Sequence, residues 1–375
     1  MSFFSMRIVI EIFLGLHLFL RLRLAFGGGW WQLPVLLWCA LMLAPILLQG
    51  SGIVPKSLME LLLFIWPVWL GYLILFLVIS LGFDVLRIVS GAAGLLSGHN
   101  WWRLLGPKAL TPLAAVLAVF TAAYSYYEAY HPKAVRVEFQ TAKMPQGVKR
   151  IRIAHLTDVH LSRFIGYDEL SGMVEIIKAA APDLLVVTGD LVDTDMSQRG
   201  SEAELLASVK TRLGSYAVFG NHERYAGQKN SIDFYEKAGL RLLRGEAGES
   251  GGLVIAGVDD EVFGDSGNVE PLTSLLRKYK GDSRFVLVLK HRPQLALGSG
   301  GLFDLQLSGH THGGQIWPGH WLAKKANGVL HGLNYDPDSP SAVYTSRGAG
   351  FWGLPMRFLA PPEVTIIDLV PFEKA

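Results

Sequence analysis

Arg150–His160 reads RIRIAHLTDVH, an apolar, β-prone run that ends at Leu156 and gives way at once to Asp158, Val159 and His160. A strand predicted over Arg150–Leu156 delivers both ligand-type side chains to the loop at its carboxyl end. The same arrangement recurs downstream. Leu184–Thr188 is followed by Gly189 and Asp190, Tyr216–Phe219 by Gly220-Asn221-His222-Glu223, Phe285–Leu289 by His291, and Leu305–Leu307 by Gly309-His310-Thr311-His312. Strands are also predicted at Leu253–Val258, Ala342–Thr345 and Val364–Asp368, with helices at Asp168–Ala180 and Glu202–Leu213. Strands alternating with helical segments make a layered α/β domain. Ligands in open α/β sheets bind beyond the carboxyl ends of strands, so one sheet edge is expected to collect all of these polar clusters.

Oxygen and nitrogen donors run through the series, and thiolates never appear in it. Carboxylate and imidazole suit Mn, Fe or Zn, and an Asp carboxylate can bridge two such ions. On an extended loop alternate residues point the same way, so Asp158 and His160 can grip one ion together, and His310 with His312 repeats that spacing. Glycines beside these residues permit tight turns and close backbone approach. Each fragment is weak alone: D-x-H and Gly-Asp arise by accident, and a single histidine such as His291 is more often packed than ligating. An ordered series with every member at a strand end points instead to a metal site.

This ordered set resembles the calcineurin-like metallophosphoesterase superfamily over about Lys149 to Leu369. SGHTHGGQ at Ser308–Gln315, SRGAGFWGLPMR at Ser346–Arg357 and PPEVTIIDL at Pro361–Leu369 are similar to the branch of bacterial phosphodiesterases often found with membrane or export segments, and the apolar N-terminal runs are similar to those of transmembrane proteins carrying a metallophosphoesterase domain. The resemblance implies a four-layer αββα sandwich with two divalent metal ions at one edge. It implies that Asp158, His160, Asp190 and His312 hold the first ion, that Asp190, Asn221, His291 and His310 hold the second, and that Asp190 bridges them. A hydroxide between the ions would attack phosphorus in line with the leaving oxygen. His222 would touch the phosphate and protonate the departing oxygen, with Glu223 orienting its imidazole. Many relatives carry Asp at that last position, so only the fine geometry differs.

Ahead of this domain the composition changes. Half of the 375 residues are hydrophobic and only 18% are charged, an excess of apolar surface that points to a bilayer. Basic and acidic residues nearly cancel to a net charge of +2, which excludes the basic footprint of a nucleic-acid binder. The single cysteine, Cys39, lies in the apolar part, so the polar domain has no disulfide, zinc-thiolate site or cysteine nucleophile. Trp31–Leu48, Met59–Leu81 and Ala109–Tyr127 can each span a bilayer, which needs about 20 apolar residues. The last ends in Tyr124, Tyr126, Tyr127 and Tyr130, an interfacial aromatic cluster. Ile8–Leu20 is a shorter run that a signal peptide would also fit, and its Glu11 is expected near the membrane edge, solvated by headgroups.

Residues 1–130 are thus expected to form a multi-pass region of about four helices, 131–148 a linker with the first strand, and 149–375 the catalytic domain. Arg21, Arg23, Arg87, Arg103 and Lys108 share one side of the bilayer, and the positive-inside rule makes it cytoplasmic, leaving the catalytic domain extracytoplasmic.

The expected function is a phosphodiesterase acting on a lipid-linked or membrane-proximal phosphorylated substrate, or a pyrophosphohydrolase built on the same centre. The competing class is a non-catalytic membrane sensor or scaffold that binds a phosphorylated ligand. Complete ligand motifs argue against it, since a degenerate site usually loses one. His155 reads as a core residue, and His320 and His331 as surface or structural ones. Core packing is the default for Trp317, Phe351 and Trp352, with a pocket lining or membrane contact as the rival.

Overall fold

Four helices open the chain: α1 (Phe3–Phe26), α2 (Gln32–Leu47), α3 (Lys56–Ser97) and α4 (Pro107–Ala129). The structure, a computed structural model, describes residues 3–48, 51–97, 105–263, 272–295 and 298–372. Arg103 lies outside them. These residues divide into two compact units, Met1–Tyr127 with Gly353–Met356, and Glu128–Trp352 with Arg357–Ala375.

In the helical unit, the expected runs Ile8–Leu20, Met59–Leu81 and Ala109–Tyr127 each fall inside one helix, and Trp31–Leu48 exceeds α2 by one residue at either end. Among the described residues, two helices are long and apolar enough to cross a membrane, α3 and α4, while α2 is apolar but shorter. The 42 residues of α3 outrun the span expected at Met59–Leu81: at 1.5 Å per residue they extend about 63 Å, roughly twice a hydrocarbon core. Glu11 departs from expectation. It is buried, and its Oε2 accepts a 2.6 Å hydrogen bond from the Trp66 indole of α3. Further along the same two helices, His17 Nε2 lies 2.8 Å from Ser80 Oγ and Arg21 pairs with Asp84. Side chains on one face of α1 meet polar partners on α3, which a linear reading of α1 could not reveal.

The second unit runs β1 (Lys133–Thr141), β2 (Ile151–Leu156), α5 (Tyr167–Ala180), β3 (Leu184–Thr188), α6 (Gly200–Ala207), β4 (Ser215–Val218), α7 (Asn221–Ala226), α8 (Gln228–Lys237), β5 (Arg241–Leu242), β6 (Glu246–Ser250), β7 (Leu253–Val258), α9 (Leu272–Arg277), β8 (Phe285–Lys290), β9 (Leu305–Ser308), α10 (Gly319–Asn327), β10 (Gly332–Tyr335), β11 (Ala342–Thr345) and β12 (Glu363–Pro371). The first sheet has the order β1-β12-β2-β3-β4-β5 and the second β10-β11-β9-β8-β7-β6. The expected strands are all present, and β5, β6 and β10 join them at or near sheet edges.

Side-chain parity explains the layering, because successive residues of a strand face opposite ways. Ile151, Ile153, Leu184 and Val186 of the first sheet pack with Leu253, Ile255, Leu287 and Leu305 of the second in one core between the sheets. Their neighbours Ala154, Leu156, Leu185 and Val187 face the other way and pack with Leu170, Val174 and Ile177 of α5 and with Leu206 of α6. Val254, Ala256, Val286 and Val288 likewise pack with Leu272, Leu275 and Leu276 of α9. The order of layers is therefore helix, sheet, sheet, helix. Central strands covered on both faces read as unbroken apolar runs, which is why they were legible.

The helix predicted over Glu202–Leu213 stops at Ala207. Val209 N–H bonds Leu206 O at 3.0 Å and Thr211 Oγ1 bonds Gly214 O at 2.7 Å, turn contacts that compete with helical pairing. The metal motifs also do not share one sheet edge. Asp158, His160, Asp190 and Asn221 follow strands of the first sheet, and His291, His310 and His312 follow strands of the second. The two edges meet because the sheets stack face to face.

Candidate metal centre

Bringing seven side chains together requires sharply bent loops. Asp158, His160, Asp190, His310 and His312 all have positive φ, between 50° and 70°, in the left-handed region that costs a non-glycine residue about 1 kcal/mol or more. Glycine supplies clearance where backbones touch. A Cβ on Gly189 would collide with the backbone of Gly220, and one on Gly309 with the Asp158 carboxylate.

Two donor groups result. In the first, Asp158, His160 and His312 are buried with ligand atoms within 4.8 Å of one another. His160 Nε2 and His312 Nε2 are 3.0 Å apart, and His312 Nε2 is 3.4 Å from Asp158 Oδ1. In the second, Asp190, His291 and His310 meet the same criterion. One oxygen belongs to both neighbourhoods: Asp190 Oδ2 lies 3.2 Å from His291 Nε2 and 3.9 Å from His160 Nε2. Asn221 is buried, and its Oδ1 has no hydrogen-bond partner among the described residues. An orphaned carbonyl oxygen at the first position of α7 is costly unless something else ligates it. Carboxylates, neutral imidazole nitrogens and that amide oxygen are the donor set expected for Mn, Fe or Zn, so the residues present fit divalent metal ions.

His222 stands at the mouth, 14% exposed, and its backbone N–H donates to Asp190 Oδ1 at 2.9 Å. Its imidazole Nδ1 lies 2.7 Å from Asp193 Oδ1, and the same oxygen lies 2.6 Å from His160 Nδ1. The carboxylate beside the His222 imidazole is thus that of Asp193, where Glu223 was expected. Glu223 is wholly buried and turned inward: it accepts from the N–H groups of Asp190, Leu191 and Gly220 at 2.7–3.0 Å, and from Tyr235 Oη at 2.9 Å. As the third residue of α7 its carboxylate reaches back to the N-terminal amides, while His222 faces out.

The other ligands are also buttressed. His291 Nδ1 is 2.8 Å from Thr188 O, and His312 Nδ1 is 2.8 Å from a guanidinium nitrogen of the fully buried Arg357, which also bonds His312 O at 2.6 Å. Arg292 reaches His310 Nε2 at 3.2 Å and is itself held by Asp260 at 2.7 Å. The roles of Asp193, Asp260, Arg292 and Arg357 were not read from sequence. Asp193 had a faint signal, as an acid three residues beyond Asp190. Arg357 had another, as a lone cation in the apolar stretch FWGLPMRFL.

The electrostatics follow. Burial alone would push the His160 pKa down, but Asp193, Asp190 and Asp158 outweigh it and raise it to about 9. His291 is likewise raised to about 10, with Asp190 overcoming burial. Burial raises Asp158, whereas the histidines around Asp190 overcome its burial and hold it well below the usual carboxylate range. Burial, assisted by His291 and Arg292, lowers His310 to about 3. Each donor group thus has one imidazole that holds its proton tightly and one that stays neutral, a field built for positive charge.

The remaining aromatic and histidine residues take ordinary places. His155 is buried, 2.7 Å from Thr188 Oγ1, and Phe351 packs on Tyr130 with ring centroids 5.2 Å apart. Trp352 is 42% exposed, its ring 6.0 Å from that of His222. His320 stacks beside Trp317 with ring centroids 6.4 Å apart, and His331 is exposed.

A four-layer sandwich with carboxylate and imidazole clusters where its two sheets meet defines a calcineurin-like phosphoesterase. The family described by that name matches residues 151–314. The chain is 37% identical over 263 residues to an uncharacterized metallophosphoesterase of Aquifex aeolicus, covering 68% of this chain and 97% of that one. It therefore belongs to the metallophosphoesterase family. It is also 32% identical over 275 residues to a transmembrane protein with metallophosphoesterase domain from Danio rerio, spanning 69% of this chain and 62% of that protein. A solved dimetal phosphatase from Danio rerio aligns with a TM-score of 0.38 at 13% identity, covering 60% of this chain and 94% of that one. Family membership assigns metal-dependent phosphoester hydrolysis as the class of chemistry. Two apolar helices, together with relatives named as transmembrane, indicate association with a membrane.

Proposed function

We propose that the protein is a multi-pass, membrane-anchored phosphodiesterase with a dinuclear metal centre that cleaves a phosphodiester or pyrophosphate of a lipid-linked or membrane-proximal substrate. The observation that carries this reading is the position of Asp190 Oδ2 between His291 Nε2 at 3.2 Å and His160 Nε2 at 3.9 Å, one carboxylate oxygen within reach of both donor groups. Asp158, His160, Asp190 and His312 would hold one ion, and Asp190, Asn221, His291 and His310 the other. When bound, such a pair neutralises phosphate charge and supplies a hydroxide-strength nucleophile near neutral pH.

The chain's own residues do the rest. Asp193 accepts from Nδ1 of His222, which leaves Nε2 to meet the substrate and pass a proton to the departing oxygen. The same carboxylate fixes the His160 ring so that its Nε2 faces the first donor group. The Thr188 carbonyl accepts from His291 Nδ1 in the same manner, whereas the Arg357 guanidinium donates to His312 Nδ1 and to the His312 carbonyl oxygen.

A lipid-linked substrate follows from tethering, which raises the concentration of the domain near headgroups without altering its chemistry. Basic residues between the apolar runs argue that the catalytic domain is extracytoplasmic. Hydrolysis of a soluble aryl phosphodiester by the full chain in detergent, with Mn added, removed by chelator and added again, tests the proposal. Turnover that follows the metal supports it. A folded, metal-loaded protein without turnover on phosphodiesters, pyrophosphates or monoesters would favour the binding-only alternative.

A further inference from the structure

The metal site explains neither α10 nor the apolar residues beside it. Gly319–Asn327 is amphipathic, GHWLAKKAN, yet no residue of this helix is buried. Trp321 is 64% exposed and Leu322 is 74% exposed. The face continues along neighbouring chain segments. Trp321 packs edge-tilted on Trp317 with ring centroids 5.9 Å apart, Trp317 N–H bonds Phe358 O at 3.1 Å, and the next residue, Leu359, is 68% exposed. Gln315 Nε2 donates to Trp352 O at 2.8 Å, which brings the face to Trp352 and so to the His222 ring.

We infer that this face docks on the surface of a lipid bilayer carrying anionic headgroups, presenting the mouth of the metal site to phosphate groups at that surface. The inference deepens the reading of a membrane-proximal substrate and rests on it. Three observations select lipid over a protein partner. Exposed Trp and Leu on a short helix with no fully buried residue is the composition of an interfacial segment. Lys324 and Lys325 lie three and four residues beyond Trp321, the spacing at which their stems can flank the apolar stripe while their ammonium groups reach anionic headgroups. Only Tyr130, His131 and Pro132 separate the end of α4 from the start of β1, so a domain anchored by that helix stays within a short reach of the bilayer.

Spin labelling of the full chain tests the inference. In a Cys39→Ala background, nitroxides are placed at Leu322→Cys and, on the outer surface of α6, at Glu204→Cys, and the protein is reconstituted into phosphatidylcholine vesicles with and without phosphatidylglycerol. Membrane contact predicts that the label at 322 is relaxed by oxygen and shielded from a water-soluble nickel complex, more so with phosphatidylglycerol, while the label at 204 shows the reverse. Equal nickel access at both positions would overturn the inference. So would dipolar broadening between labels at 322, which would assign the face to a second copy of the chain.

A second readout uses Trp321→Ser with Leu322→Ser. Hydrolysis of a soluble aryl phosphodiester is expected to hold, while hydrolysis of a vesicle-borne lipid phosphodiester falls about tenfold. Equal loss on both substrates would assign these side chains to the fold and overturn the docking role. Because the labels report contact independently of turnover, an inactive protein that still shields position 322 would sink the catalytic reading while supporting this one.

Discussion

At the scale of single residues the centre depends on side chains with distinct tasks. Asn221→Ala removes a buried amide oxygen that has no hydrogen-bond partner among the described residues. It should empty one ion and reduce hydrolysis by about 100-fold or more while leaving the domain folded. His222→Ala should keep both ions and slow turnover by about 100- to 10,000-fold, the range of a lost general acid. Metal content and rate measured on the same samples separate the two; an Asn221→Ala protein with full metal and full rate would remove that residue from the centre. Asp193→Asn, which weakens the hold on both His160 and His222, should lower metal affinity and rate together. Protons and metal compete for the same nitrogens. With the His160 pKa raised to about 9, and that of His291 to about 10, each imidazolium stabilises the fold fully below the unfolded value of about 6.5 and loses that contribution as pH rises through 9 to 10. Metal binding must expel these protons, so the gain in melting temperature on adding Mn should grow between about pH 6 and pH 9. A gain independent of pH would contradict the protonation states. The proposed ligands stand out in the sequence because they sit beside glycines at strand ends. Asp193 and Arg357 were not, because their meaning lies in His160, 33 residues away, and His312, 45 residues away.

Among the secondary-structure elements, the start of α7 bears most on the site. It delivers Asn221 and His222 outward and Glu223 inward in consecutive positions, and the inward carboxylate ties α7 to the loop after β3 that carries Asp190. Glu223→Gln replaces an acceptor by an amide whose N–H groups face backbone N–H donors, and should destabilise the domain by about 2 to 3 kcal/mol. Urea unfolding of the variant, followed by tryptophan fluorescence, checks this; an unchanged midpoint would mean that the carboxylate does not tie the two loops. GNH[DE] was readable as a site motif from sequence, but the division of labour within it was not, since it depends on which way each residue of a helical first turn points. Elements with strong periodicity were legible for the same physical reason. α5 buries Leu170, Met173, Val174 and Ile177 at helical spacing, and the central strands are apolar on both faces. By contrast β5 spans only Arg241–Leu242 and β6 reads EAGES, pairings imposed by their neighbours rather than by their own residues.

Across the whole molecule, an apolar helical unit precedes a sandwich whose two sheets each supply part of the proposed metal centre. That convergence could not be read from one sheet edge, because stacking of the sheets is set by the shared core of Ile153, Val186, Ile255 and Leu287 rather than by any local signal. The central claim is that Asp190 joins two ions, and electron paramagnetic resonance of the Mn-loaded full chain addresses it directly. Two ions sharing a carboxylate should give the exchange-coupled multiline spectrum of a dinuclear Mn centre at full activity, collapsing to an uncoupled spectrum with loss of turnover in Asp190→Asn. Full hydrolysis from a protein that shows only isolated, uncoupled Mn would contradict it.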